Sequence, residues 1–227
     1  MILMGHRGAK DEAPENTLAG FQHALTLGLK AVELDIHASR DGRLMVIHDP
    51  TLERTTNGAG QVNAFDCVEL QKLDAGKNEK IPVLEEVFEL LLSKDVQIQV
   101  EIKDQDTIAH LAPLFRSLSK SKQELLTIIS FHHRWLTDWL KLCPSSKTAT
   151  LLYGYPLDPA AIAKTVNASG LSFNIGFIDE QLVHACKSAG LSITGWNANT
   201  QEQLMKMQKL EIDFLATDIP KKCLSWL

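Results

Sequence analysis

The chain is short of several things, and each shortage excludes a class of protein. Only four cysteines occur in 227 residues, at positions 67, 143, 186 and 223, with no C-x-x-C pair among them. That spacing excludes a disulfide scaffold and a cysteine zinc site, and it fits unlinked thiols in a reducing compartment. No apolar run approaches the ~20 residues that a membrane-spanning helix needs. No cleavable leader is readable either, because the apolar Ile2-Leu-Met4 meets His6 at once. The expected location is cytoplasmic. An excess of one charge is also missing: the net charge is -5, from 23 Lys and Arg against 28 Asp and Glu. This argues against a nucleic-acid partner held by general electrostatics, while a local cluster can still bind a small anion. Linkers, low-complexity stretches and repeats are absent as well, so a single domain over residues 1–227 is expected. A homo-oligomer is left open.

What the chain has in abundance is alternation of strand and helix. Eight principal strands begin near residues 2, 31, 96, 125, 148, 171, 191 and 213. Helical spacing is read at 18–28, 84–92, 106–119, 134–142, 158–168, 179–189 and 200–209. Eight such units in one chain favour a closed α/β TIM (β/α)8 barrel over a doubly wound sheet. One region breaks the rhythm. The Asp41-Gly42 turn, the short strand Leu44–Ile47 and the turn-rich residues 51–80 read as a hairpin-plus-loop insertion after the second strand, about residues 40–80.

In such a barrel the carboxyl ends of the strands converge on one rim, so polar residues there can be read as a set. The first strand ends in His6-Arg7-Gly8, where a guanidinium beside an imidazole suits an anionic group. On the second strand Val32, Leu34 and Ile36 share one face, and Glu33, Asp35 and His37 the other. His48 and Asp49 end the hairpin strand, Glu101 and Lys103 the third principal strand. Ser130, Trp196, Asn197 and Asp218 follow on later ones.

Glu33, Asp35 and Glu101 bring three carboxylates to one small volume, where like charges raise one another's pKa or repel. A hard divalent cation resolves this, and an all-oxygen shell suits Mg2+ or Ca2+ better than Zn2+. His6 and His48 can divide the work of a base and an acid near neutral pH. Arg7 and Lys103 offer the positive charge that a phosphate needs. Other residues read more plainly. His37 has no evident partner and is expected to be exposed or to stand behind the metal site; Asp49 before Pro50 is expected to serve a turn or cap. His132 and His133 are expected at the surface or as caps, and Trp196 as an apolar wall or a core residue.

Taken together the motifs resemble those of the glycerophosphodiester phosphodiesterases, a TIM-barrel family, from end to end. The matching stretches are His6-Arg7-Gly8 with Pro14-Glu15-Asn16-Thr17, Glu33-Leu-Asp35, and Asp41-Gly42 through His48-Asp49-Pro50. Leu52-Glu-Arg54-Thr-Thr-Asn-Gly58, Ile81-Pro82, Glu101-Ile-Lys103, Ser130-Phe131, Trp196-Asn197 and Thr217-Asp218-Ile-Pro220 complete them. The resemblance implies His6 and His48 as the acid–base pair, Glu33, Asp35 and Glu101 as metal ligands, and Arg7 and Lys103 on the phosphate. It also implies that the insertion caps part of the substrate site. Two stretches depart from the family pattern: Trp196-Asn-Ala-Asn199 replaces a common Trp-Thr-Val-Asn, and Cys186-Lys187 a common Ala-His. These bear on pocket shape and alcohol preference.

The implied reaction is hydrolysis of a small glycerophosphodiester, such as glycerophosphocholine or glycerophosphoethanolamine, to sn-glycerol 3-phosphate and an alcohol. His6 is expected as base and His48 as acid, an order the residues leave open, as they leave open water or the substrate's 2-hydroxyl as nucleophile. Three rivals are carried forward: a phospholipase-type barrel acting on intact lipid, a non-catalytic phosphodiester-binding barrel, and a metal-dependent enolising barrel.

Overall fold

A computed structural model describes residues 1–227. The strands are β1 (Ile2–Gly5), β2 (Ala31–Ala38), β3 (Leu44–Val46), β4 (Gln97–Ile102), β5 (Leu126–Ser130), β6 (Lys147–Leu152), β7 (Gly170–Asn174), β8 (Ser192–Trp196) and β9 (Phe214–Thr217). All pair in parallel except β3, which lies antiparallel on the end of β2, with Ile36 opposite Val46. The pairings of β1 with both β9 and β2 close the remaining eight into a ring, the expected TIM barrel.

The helices are α1 (Leu18–Thr26), α2 (Cys67–Leu70), α3 (Leu84–Leu92), α4 (Thr107–Ser117), α5 (Lys120–Gln123), α6 (His133–Leu142), α7 (Pro159–Val166), α8 (Glu180–Ser188), α9 (Gln201–Lys209) and α10 (Pro220–Leu224). Their starts are written locally: Thr17, Asp158, Asp179 and Thr200 each accept a backbone N–H of the first turn through the side chain. The short helices α2, α5 and α10 were not expected. Four or five residues hold barely one turn, too few to print a helical period.

Alternation along the strands sorts the core. Val32, Leu34, Ile36, Ile98, Val100 and Ile102 join a 42-residue apolar cluster between barrel and helices. Within it Phe115 of α4 meets Trp139 of α6 edge to face, with ring centroids 5.2 Å apart. The opposite faces of β2 and β4 carry Glu33, Asp35, Gln99 and Glu101, all buried. Apolar residues from the 45–83 region form a separate nine-residue cluster, including Met45, Leu52, Leu70 and Ile81. The four cysteines are buried and unlinked. No helix is long and apolar enough to cross a membrane.

Candidate active site

β1 ends in a left-handed turn, with φ of 51° at Arg7 and 86° at Gly8. A side chain at Gly8 would bring Cβ within 2.8 Å of the Gly20 carbonyl carbon of α1, so this turn requires glycine. It sets His6 at the barrel mouth and lets the Arg7 backbone N–H donate to Glu33 Oε2 at 3.1 Å.

Asp35 of β2 and Glu101 of β4 are register partners, and Glu33 lies two residues before Asp35 on the same face. Ligand atoms of the three carboxylates come within 4.8 Å of one another. Arg7 and Lys103 are interleaved with them. Lys103 Nζ stands 3.0 Å from Glu101 Oε1 and 3.6 Å from Asp35 Oδ1, and Arg7 Nε stands 3.4 Å from Asp35 Oδ2. Asn16 Nδ2 donates to Asp35 Oδ2 at 2.9 Å.

The charges divide unevenly. Burial favours the neutral form of Asp35, but Lys103 and then Arg7 outweigh it and hold this carboxyl at about 2. Burial, reinforced by Asp35, pushes Glu33 well above the ordinary carboxylate range and Glu101 up to about 7. Three buried carboxylates thus face two cations, and Asp35 Oδ1 lacks any hydrogen-bond partner. An all-oxygen donor set with excess negative charge and an unpaired buried oxygen fits a hard divalent cation. Because a carboxyl must lose its proton to coordinate, cation affinity should rise with pH through about 7, where Glu101 ionises, with Glu33, also pushed well up, adding to the rise. Below that the loss is roughly tenfold per pH unit for one displaced proton. Calorimetric titration with Mg2+ or Ca2+ at pH 5.5 and 8 measures it; equal affinities would remove both raised carboxyls, Glu33 and Glu101, from the ligand set.

The two histidines flank this cluster in matching fashion. His6 Nδ1 faces Asp218 Oδ1 at 2.5 Å, and its Nε2 stands 3.7 Å from Glu33 Oε2. His48 Nδ1 faces Asp49 Oδ1 at 2.6 Å, and its Nε2 meets Lys103 Nζ at 3.1 Å. An ammonium can only donate, so His48 Nε2 carries the lone pair and the ring is neutral. Burial likewise holds His48 below its ordinary value, against the pull of Asp35. Asp218 is kept at about 2: burial opposes this, but its bond to His6 prevails. It is braced by Asn199, whose side chain also accepts the Asp218 N–H at 2.9 Å.

Two expectations need correction. Asp49 does not serve a turn or cap alone; it orients His48 and is itself gripped by Arg54, which also bonds Glu15. His37 is not exposed, one of the two places expected for it, and it is not without a partner. It is 6 % exposed, with Nδ1 on Asp104 Oδ2 at 2.9 Å and Nε2 on the His48 carbonyl at 3.1 Å. Both partners lie at sequence distances that no local pattern reports. Of the other pair, His132 is exposed and stacks on Trp135, and His133 bonds the Leu151 carbonyl at 3.0 Å instead of capping a helix. Ser130 is buried and donates to the Ile102 carbonyl at 3.0 Å.

His6, Arg7, Glu33, His48, Glu101 and Trp196 line one cavity of about 160 Å3. Asp35 adjoins that set through Arg7, and Lys103 through Glu101 and His48. Trp196 is half-buried there, with Phe131 edge-on at 5.7 Å and Tyr153 at 6.1 Å, so one side of the mouth is aromatic. Sequence reading assigned no role to Glu15, Asn16, Asp104, Asn199 or Tyr153. Glu15, Asn16 and Asn199 were visible only as parts of motifs, and Asp104 and Tyr153 carried no signal.

Comparison with known proteins places this geometry. Residues 6–222 match the model of the glycerophosphoryl diester phosphodiesterase family. The chain is similar to a glycerophosphodiester phosphodiesterase of Caldanaerobacter subterraneus, at 36% identity over 97% of this chain and 95% of the relative. One from Bacillus altitudinis is 32% identical over 97% of this chain and 95% of its own length. Among solved structures, an Oleispira antarctica phosphodiesterase in complex with the product sn-glycerol-3-phosphate superposes with a TM-score of 0.93. It is 28% identical, and the match covers 100% of this chain and 96% of that one. With the match spanning nearly the whole sequence and the fold alike, this chain belongs to the glycerophosphoryl diester phosphodiesterase family.

Proposed function

We propose that the chain hydrolyses small glycerophosphodiesters, such as glycerophosphocholine and glycerophosphoethanolamine, to sn-glycerol 3-phosphate and an alcohol. The observation that carries this reading is the pair of imidazoles set about one buried carboxylate cluster, each with Nδ1 on its own aspartate. A non-catalytic barrel has no use for two oriented histidines, and an enolising barrel needs a free lysine base, whereas Lys103 is tied to Glu101 and His48.

Glu33, Asp35 and Glu101 would hold a divalent cation, Mg2+ or Ca2+, which would supply Lewis-acid neutralisation of phosphoryl charge. Arg7 and Lys103 offset the remaining phosphoryl charge as it grows in the transition state. His48, neutral and with its Nε2 lone pair facing the cluster, takes the proton of the attacking hydroxyl. His6, held at Nδ1 by Asp218 and with its Nε2 toward Glu33, gives a proton from Nε2 to the leaving alkoxide. This reverses the order expected from sequence, and the support for it is the Lys103 bond to His48. The attacking hydroxyl belongs to water or to C2 of the substrate's glycerol, and turnover of a 2-deoxy diester distinguishes the two.

Trp196 forms the apolar wall of the substrate cavity. The insertion of about residues 40–80 caps one side of the mouth; Arg54 supports this, since it joins Asp49 and Glu15 across it. Four unlinked, buried thiols support a cytoplasmic setting. A panel of glycerophosphodiesters assayed with each cation should release sn-glycerol 3-phosphate. No release from any member with either cation would overturn the assignment.

A further inference from the structure

Beneath the carboxylate cluster lies a layer of polar side chains that the chemistry above leaves unused. Gln99 precedes Glu101 by two residues on the inward face of β4, about 6.6 Å lower along the strand. It crosses the barrel, and its Nε2 donates to Thr194 Oγ1 of β8 at 2.8 Å. Ser172 of β7 stands beside Thr194 in register. Gln99 is 6 % exposed and Ser172 1 %. Both line the same cavity as His6, Glu33, His48 and Glu101.

Neither is satisfied by the protein. Gln99 Oε1 and Ser172 Oγ are buried without a partner, as are Trp196 Nε1 and Asn197 Nδ2 higher on the same wall. Buried polar atoms are nearly always paired, so unpaired ones converging on a cavity mark where a ligand's polar groups go. A hydroxyl both donates and accepts, so it matches Gln99 whichever way the amide is turned, and it matches Ser172.

We propose that Gln99 and Ser172, with the Trp196 indole above them, read the free terminal hydroxyl of the substrate's glycerol. The enzyme is thereby restricted to deacylated glycerophosphodiesters. This deepens the phosphodiesterase reading and rests on it. With the phosphoryl group at the cation site, a three-carbon arm spans the two residues of strand that separate Glu101 from Gln99. The Gln99–Thr194 bond crosses the barrel at that level, so an acyl chain on that hydroxyl would run into it. The opposite orientation fits worse. Glycerol is the constant part of these substrates and carries hydroxyls for the floor, whereas the choline ammonium has no N–H to offer. The leaving alcohol then faces the open side, past Phe131 and Tyr153.

Choline release tests this with three substrates: glycerophosphocholine, its analogue with the terminal hydroxyl replaced by hydrogen, and 1-acyl lysophosphatidylcholine below its micellar concentration. The analogue keeps the 2-hydroxyl, so an internal nucleophile is not lost. The intact enzyme should prefer glycerophosphocholine over both by about 100-fold or more in kcat/KM, because a site built to bond a hydroxyl strongly rejects a substrate lacking it. Gln99→Met should lose most of that preference, slowing on glycerophosphocholine while changing less than about threefold on the deoxy analogue. Ser172→Ala should shrink the preference in the same direction by about tenfold, and it decides the matter if Gln99→Met fails to fold. Equal turnover of glycerophosphocholine and its deoxy analogue by the intact enzyme, or brisk turnover of the lysolipid, overturns the floor and leaves the phosphodiesterase reading standing. A preference that survives both substitutions also overturns it. No choline from any of the three overturns the reading itself, and the floor falls with it.

Discussion

Asp35→Asn and Glu33→Gln should each lower kcat/KM by about 10³-fold or more, the scale of several kcal/mol of charge stabilisation lost with the cation. The metal-free fold should survive both. At Asp35 the amide keeps the shape of the buried carboxyl, and one of its atoms can still face Asn16, whose Nδ2 now donates to Oδ2 at 2.9 Å. What it loses is the charge that Arg7 and Lys103 share, and with it the strongest anionic ligand, the one carboxyl of the three held down to about 2. At Glu33 the argument is stronger. Burial and Asp35 already push its carboxyl well above the ordinary range, so a neutral amide replaces a group whose ionisation the fold resists. The melting temperature of metal-free Glu33→Gln should therefore equal or exceed that of the parent. Turnover assays, cation titrations and thermal unfolding on the same preparations separate lost chemistry from lost structure. Full activity of either variant in chelator-treated buffer would remove the metal from the scheme.

His6→Ala and His48→Ala should each cost about 100-fold or more in kcat, the usual scale for a positioned acid or base. They should differ in what rescues them. If His6 protonates the leaving alkoxide, a diester with a nitrophenol leaving group needs no such proton, and His6→Ala should recover most of its activity on it. His48→Ala should not, since removing the proton from the attacking hydroxyl is unchanged by the leaving group. The asymmetry follows from the surroundings: His6 sits between two carboxylates, and His48 receives a proton donor, Lys103, on the nitrogen that faces the cluster. Losses of less than tenfold in both variants would refute the assignment, and rescue of His48→Ala instead would restore the order expected from sequence.

Much of this site was legible because its signals are local. The order of strands and helices is carried by periodicity, and the barrel follows from counting eight units, each of which must bury one face. Within a strand, period-two alternation was enough to put Glu33 with Asp35 and Glu101 with Lys103 on inward faces. His6 and His48 were legible because a strand end next to a glycine or proline is where a barrel offers side chains to its mouth.

The sequence by itself determined the barrel, the rim on which the chemistry gathers and the residue types that compose it. Tertiary structure alone decided which groups act on which. Asp218 reaches His6 across 212 positions of chain, and Gln99 reaches Thr194 across 95. Asp104 reaches His37 across 67. Hydrogen bonds of this kind form wherever the closed ring brings two polar side-chain atoms to about 3 Å, and their strength depends on burial. Neither quantity leaves a periodic trace along the chain. For the same reason Arg7 and Lys103, read from sequence as cations for a phosphate, are also the counter-charges that let Asp35 stay ionised inside the barrel.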